Sequence, residues 1–109
     1  MKYLFLLSSI LLSQIVFGTE TSPSSSIQKL ISYSEYGGGD VVVVLEENGT
    51  TCTNGYFLKK TDSGFDANLA MLLSAYHAKS PLRLDAHTSD KWDGSTGYYC
   101  HVYSIAYGF

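Results

Sequence analysis

A tryptophan in a polar loop is the strongest candidate for binding chemistry in this sequence. Trp92 is the only tryptophan and lies among Asp90, Lys91, Asp93 and Gly94. Such an indole either packs back onto the core or presents a flat apolar face to a ligand. Sugars bind to such faces, while carboxylates and amides take their hydroxyl groups. Both interpretations of Trp92 stay open on the sequence alone.

Two histidines form a second, weaker candidate. His87 and His101 fall on the last two predicted strands, and Asp85 is nearby. Together these three residues suggest a metal or acid–base cluster, but their spacing in the sequence does not match a known set of metal ligands. The chain also lacks Gly-x-Ser-x-Gly, His-Glu-x-x-His and phosphate-binding glycine motifs. We therefore predict no metal, no cofactor and no catalytic residue, and keep a small enzyme using these three residues as a third hypothesis.

The N-terminal residues follow the pattern of a secretory signal peptide. Lys2 precedes a mostly apolar run over residues 3–12, and Val16 and Gly18 are small enough for a cleavage site. Serine interrupts the short run, which argues against a permanent membrane anchor. We expect residues 1–18 to be removed and the protein to be exported, either secreted or periplasmic. An exported chain meets an oxidising compartment, so we predict a Cys52–Cys100 disulfide.

Composition limits the rest of the chain to one small domain. The 109 residues are 45% hydrophobic and 16% charged, which is typical of a folded protein. The net charge of −3 argues against nucleic acid as a partner. Residues 19–26 lack apolar side chains, so we predict a flexible tail there and a folded domain over residues 27–109.

The elements that position these residues read strand, strand, strand, helix, strand, strand. Val41 to Leu45 is the clearest strand, and Asn48-Gly49 predicts a two-residue hairpin after it. The order β-β-β-α-β-β predicts a mainly β fold with one helix, a five-stranded OB-fold-like barrel with one disulfide. An open α+β sheet with the helix across one face is the alternative. In an OB-fold, two loops frame the ligand, which would bring Tyr36 and Asp40 to Asp90, Trp92 and Asp93.

The predicted helix has two apolar sides. It starts near Phe65 and ends before Pro81, and Asp62 or Ser63 is the candidate N-cap. Helical periodicity places a set of large side chains on the core face, namely Phe65, Leu69, Leu72, Leu73 and Tyr76. The other side carries a set of small or flexible apolar residues, namely Ala67, Ala70, Met71, Ala75 and Ala78. We expect this side to contact another subunit or partner, unless the domain itself buries the helix on both sides.

Residues 50–107 resemble the B subunits of subtilase-cytotoxin-type and pertussis-like toxins. The resemblance rests on the helical residues Phe65, Leu69 and Leu73, the run Pro81-Leu82-Arg83-Leu84, Trp92, and the strand Val102-Tyr103-Ser104-Ile105. It implies an exported OB-fold that assembles into a homo-pentamer, binds a glycan or glycoprotein receptor and delivers a separate catalytic subunit. It also implies helices that face a central pore. No glycan-contacting residue of the family is carried over.

Two main functions follow from the sequence. The first is an exported, non-enzymatic binding module of the toxin B-subunit type that recognises carbohydrate. Its predicted ligand residues are Tyr36, Asp40, Asp90, Trp92 and Asp93. The second is a monomeric periplasmic or secreted protein that binds a protein partner, as an inhibitor or an envelope accessory factor.

Overall fold

The structure is a computed structural model that describes residues 18–108. The predicted signal peptide lies outside the described residues except for Gly18, and Phe109 also lies outside them. Within this described range, no helix is long and apolar enough to cross a membrane.

Residues 18–108 form one mixed sheet with one α-helix. The elements are β1 (Thr19–Thr21), β2 (Ile27–Ser32), β3 (Val41–Leu45), β4 (Gly55–Leu58), α1 (Phe65–Ala78), β5 (Arg83–Lys91) and β6 (Tyr99–Ala106). The strand order is β1-β5-β6-β4-β3-β2. All neighbours are antiparallel except β4 and β6, which run parallel.

The mainly β fold with one helix and one disulfide is confirmed, but the five-stranded barrel is not. The sheet has six strands and is not closed. The extra strand is β1, which lies in the segment predicted as a flexible tail and pairs with β5, with Thr19 opposite His87. Ser22 continues this contact, because its N–H donates to the Leu84 carbonyl at 2.8 Å. Backbone pairing needs no apolar side chain, so the composition of the segment did not reveal it.

A nine-residue loop over residues 46–54 replaces the predicted two-residue hairpin. The strands pair with Val43 opposite Tyr56, so Asn48 lies well outside the ladder. Its side-chain oxygen accepts a hydrogen bond from the Leu45 N–H at 2.9 Å, and the Gly49 N–H donates to the buried Tyr56 hydroxyl at 2.9 Å. Asn48 and Gly49 therefore do not form a tight turn. They fix the longer loop through hydrogen bonds to Leu45 and to the Tyr56 hydroxyl.

Contacts with β1 and β6 fix the 46–54 loop in place. The Cys52–Cys100 disulfide is present and links it to β6. The Glu20 carboxylate accepts hydrogen bonds from the N–H groups of Thr51 and Cys52 and from the Thr50 hydroxyl. Partial burial raises the pKa of Glu20, but the hydrogen bonds from Cys52, Thr51 and Thr50 outweigh it and hold the pKa below its ordinary value of 4.5. The charged form of Glu20 thus stabilises the loop.

Helix α1 packs on one face of the sheet with part of the predicted side, because Phe65, Leu69 and Leu72 lie in or against the core. Phe65, Leu72 and Ala75 enter the main core, while Leu73 and Tyr76 are 43% and 42% exposed. The spacing 65, 72, 75 follows one helical stripe, and Leu73 and Tyr76 lie beside that stripe. Ala75 has little bulk, so the helix approaches the sheet closely there, and this residue is core rather than interface.

Candidate functional site

Trp92 anchors a second apolar cluster on the sheet face that is opposite α1. Only 6% of the residue is exposed. Its ring lies 5.4 Å from the rings of Tyr33 and Tyr36, 5.9 Å from Tyr99 and 6.3 Å from Phe57, centroid to centroid. Of the two interpretations of this indole, the structure therefore supports packing onto the protein. Trp92 does not offer an open flat face to a ligand.

Asp40 joins the two loops that the sequence placed together. It is only 4% exposed, and its Oδ2 accepts a hydrogen bond from Trp92 Nε1 at 3.0 Å. Its Oδ1 accepts a second hydrogen bond from the Lys60 N–H at 3.1 Å. Both oxygens of this buried carboxylate are thus engaged by the protein, as burial of a charge requires. Asp40 therefore holds Trp92 and the Lys60 backbone in place.

Three glycines give the 36–40 segment the shape that this contact needs. Gly37, Gly38 and Gly39 have φ values of 66°, 81° and 117°, a region that favours glycine. A Cβ at Gly37 would lie 2.1 Å from the Asp40 carboxylate. The glycine run therefore lets the chain turn tightly enough to place both Tyr36 and Asp40 beside Trp92.

Tyr36 and Asp93 form a hydrogen bond across the mouth of the site. The exposed Tyr36 hydroxyl donates to Asp93 Oδ1 at 3.0 Å. This hydrogen bond to Asp93 is the largest of the causes that raise the pKa of Tyr36, and desolvation and the negative charges of Asp93 and Asp40 act in the same direction. The neutral phenol is therefore the form that holds the two loops together.

A cavity of about 270 Å³ lies between these loops and the end of β4. Its polar lining comes from both acidic and basic side chains, with the aromatic cluster below. The lining residues are Gly37, Asp40, Phe57, Lys59, Thr61, Asp90, Lys91, Trp92 and Asp93. Four of the five predicted ligand residues line this cavity, and the fifth, Tyr36, adjoins it through Asp93. The sequence missed Lys59, Thr61 and Phe57, which lie in or next to β4.

The histidine cluster differs from the predicted one in its acidic partners. His101 Nε2 lies 2.6 Å from Asp62 Oδ2, and His101 Nδ1 lies 2.9 Å from Asp90 Oδ2. The His87 ring lies 5.3 Å from the His101 ring. Asp62 was predicted as a helix cap, but the N-cap of α1 is Gly64, without a side-chain cap. The Asp62 carboxylate contacts His101 instead.

Asp85, the predicted acidic partner of the histidines, forms hydrogen bonds with two hydroxyl groups instead. It accepts hydrogen bonds from the hydroxyls of Thr21 and Ser104, and the second is 3.0 Å long. The two ring nitrogens of His101 both face carboxylates, so neither is open to a substrate. No group of three or more histidine, cysteine or acidic residues within residues 18–108 is arranged to hold a metal ion.

The predicted interface side of α1 is only partly on the surface. Ala67, Ala70 and Ala78 are exposed, Met71 is half-buried against the core, and Ala75 is buried. Leu73 and Tyr76, which the periodicity assigned to the core, are exposed instead. The exposed side of the helix therefore keeps an apolar character, with a different set of side chains.

The side chains at the cavity offer both hydrogen-bond donors and acceptors. Asp93 offers acceptors, Lys59 and Lys91 offer donors, and Thr61 offers both. Comparison with known proteins adds no assignment: no family model matches the chain, and no curated protein is significantly similar to it. The case for a function therefore rests on the residues and their geometry.

Proposed function

We propose that this protein is an exported, non-enzymatic binding module that holds one sugar unit of a glycan in the cavity beside Trp92. The observation that carries the proposal is the convergence of the 36–40 and 90–93 segments on one cavity with mixed donors and acceptors. Its volume of about 270 Å³ lies just below the range of about 300–1,000 Å³ typical of drug-sized ligands. A single ring of a glycan fits that scale.

The chemistry of the lining favours a polyhydroxyl ligand. A sugar ring presents hydroxyl groups that donate and accept around its edge, together with an apolar C–H face. Among the residues that line the cavity, Asp93 and Thr61 offer acceptors, and Lys59 and Lys91 offer donors. Tyr36 is exposed, stands edge-on to Trp92 and adjoins the cavity through Asp93, so its ring can contact the C–H face of a sugar that extends beyond the cavity.

The fold supports the proposal, because the two edge strands are neighbours along the chain. Residues 22–25 leave β1, hydrogen-bond to the start of β5 and lead into β2. We regard residues 19–32 as one bent strand that spans both edges of the sheet, as the first strand of an OB-fold does. The parallel pairing of β4 with β6 supports this interpretation. The resemblance to toxin B subunits belongs to the same proposal.

The exposed side of α1 supports self-association, and we propose a homo-pentamer. Leu73 and Tyr76 are large, apolar and exposed beside Ala70. A small domain gains by covering such a surface. The second candidate is a monomer that binds a protein partner through this same surface. Light scattering coupled to size exclusion separates the two, because the first requires about five times the subunit mass.

A glycan array probed with the oxidised protein tests the function. The proposal predicts binding to a defined group of glycans that share one terminal sugar. Asp93→Asn should weaken that binding at least about tenfold, since it removes a charged acceptor at the cavity. Asp66→Asn, an equally exposed aspartate on α1, is the matched control and should leave binding unchanged. An array without a signal, or equal loss in both variants, would contradict the proposal.

A further inference from the structure

We propose that His101 is a proton-dependent clamp that sets the affinity of the cavity according to pH. In its charged form it ties Asp90, a wall of the cavity, to Asp62, which precedes α1. The clamp needs a proton on each ring nitrogen and opens when the ring loses one of them. Its effect on ligand affinity rests on the proposed function, whereas the clamp itself does not.

The geometry requires two donors on one imidazole ring. Each ring nitrogen of His101 lies within hydrogen-bond distance of a carboxylate oxygen, at 2.6 Å and 2.9 Å. A carboxylate only accepts, so each nitrogen must carry a proton, and only the imidazolium carries both. In the neutral ring, one nitrogen lone pair would face the oxygen of Asp62 or Asp90. One of the two contacts is therefore lost with the proton.

The surroundings of His101 favour this behaviour. The side chain is 13% exposed and lies on β6 with the Phe57 ring of β4 stacked against it at 5.3 Å. Its charged and titratable neighbours are Asp62 before α1, Asp90 on β5, and His87 on β5, whose ring lies 5.3 Å away. Two carboxylates thus face the ring directly. The nearby groups that can be positively charged are His87 and Lys59, whose Nζ lies 4.0 Å from the Asp90 oxygen that contacts His101.

Opening the clamp would change the cavity through Asp90. Lys59 Nζ already lies 4.0 Å from Asp90 Oδ2, the same oxygen that contacts His101. An Asp90 released by His101 is free to move toward Lys59 and to neutralise a donor that the ligand needs. The clamp and the ligand therefore favour the same arrangement of Asp90, which is the condition for coupling between proton and ligand.

The clamp can be measured without any ligand by NMR of the histidine ring nitrogens. Between about pH 5 and about pH 8, whenever His101 is an imidazolium, both of its ring nitrogens should show the shifts of hydrogen-bonded donors. Asp62→Asn should weaken this signal at Nε2, and Asp90→Asn should weaken it at Nδ1. An imidazolium without these hydrogen bonds, or a ring that is neutral throughout, would refute the clamp.

Its control of binding is measured with the glycan that gives the strongest array signal. The wild-type protein should bind this glycan about fivefold or more tightly at about pH 5.5 than at about pH 8. His101→Gln should flatten this dependence, and His77→Gln should keep it. If His101→Gln does not fold, Asp62→Asn provides the same comparison.

The two proposals fail in different ways. A hydrogen-bonded imidazolium seen by NMR together with an empty array would leave the clamp standing and overturn the glycan function. A glycan bound equally well at both pH values by the wild-type protein would leave the function standing and overturn the control by His101.

Discussion

Replacing Trp92 by phenylalanine tests whether its hydrogen bond to Asp40 holds the site together. The substitution keeps an aromatic ring in the cluster but removes the Nε1–H. Asp40 is 4% exposed, so its Oδ2 would lose the Trp92 donor at a position that is largely shielded from solvent. Hydrogen bonds to charged groups contribute about 1.5–3 kcal/mol. The smaller ring adds up to about 1 kcal/mol of lost packing.

We therefore expect Trp92→Phe to lower the free energy of unfolding by about 1.5–4 kcal/mol. That is a large share of the total stability of a small domain, which is about 5–15 kcal/mol. Urea denaturation followed by far-UV circular dichroism measures it, because the variant lacks the only tryptophan. Tyr33→Phe is the matched control, since it removes one polar atom from another ring of the same cluster and should change the stability by less than about 0.5 kcal/mol.

A double-mutant cycle with Asp40→Ala isolates the contact, because alanine leaves no acceptor for Trp92 Nε1. If the hydrogen bond carries the effect, the two substitutions together should cost less than their sum, with a coupling of about 1–3 kcal/mol. Additive effects, or a loss below about 0.5 kcal/mol for Trp92→Phe, would refute the reasoning. Trp92→Ala is a poor binding test, because emptying the cluster costs about 3–5 kcal/mol by itself.

Three further predictions concern stability. Reducing the Cys52–Cys100 bond, which joins residues 48 apart, should cost about 4 kcal/mol in urea unfolding, and an unchanged midpoint would contradict the chain-entropy argument. The pKa of Glu20 is lowered in the folded state, so its charge stabilises the fold at pH values above the ordinary pKa of 4.5, and this stabilisation is lost as the pH falls through the folded-state pKa. The melting temperature of Glu20→Gln should therefore differ most from that of the wild type near neutral pH and approach it in acid. Thermal melts across this pH range measure the difference. Gly55→Ala should lower the melting temperature, since Gly55 has a φ of 143° and a Cβ would lie 2.8 Å from the Val43 carbonyl oxygen; an unchanged value would contradict this.

Local patterns predicted the central elements because their causes are local. The β-branched run Val41–Leu45 forms β3, and the apolar repeat that ends before Pro81 forms α1. The chain has only two cysteines, so only one intramolecular disulfide could be predicted. The order of these elements was also enough to bring Tyr36 and Asp40 to Trp92, which is the central feature of the cavity.

The remaining features depend on contacts that side-chain patterns do not encode. Strand β1 is held by backbone hydrogen bonds to β5, so its polar composition carried no signal. The rotation of α1 was ambiguous because Leu73 and Tyr76 satisfy the helical period as well as Ala75 does. The contact between Asp62 and His101 joins residues 39 apart in the sequence, and only the packing of α1 against the sheet brings them together.

Mapping backbone amide shifts during titration with a panel of free monosaccharides tests the central claim most directly. At least one sugar should shift the amides of residues 37, 59, 61 and 90–93, which line the cavity. The amides of the exposed side of α1 should stay unchanged. Shifts confined to α1, or a panel in which no sugar perturbs the cavity, would contradict the proposed function.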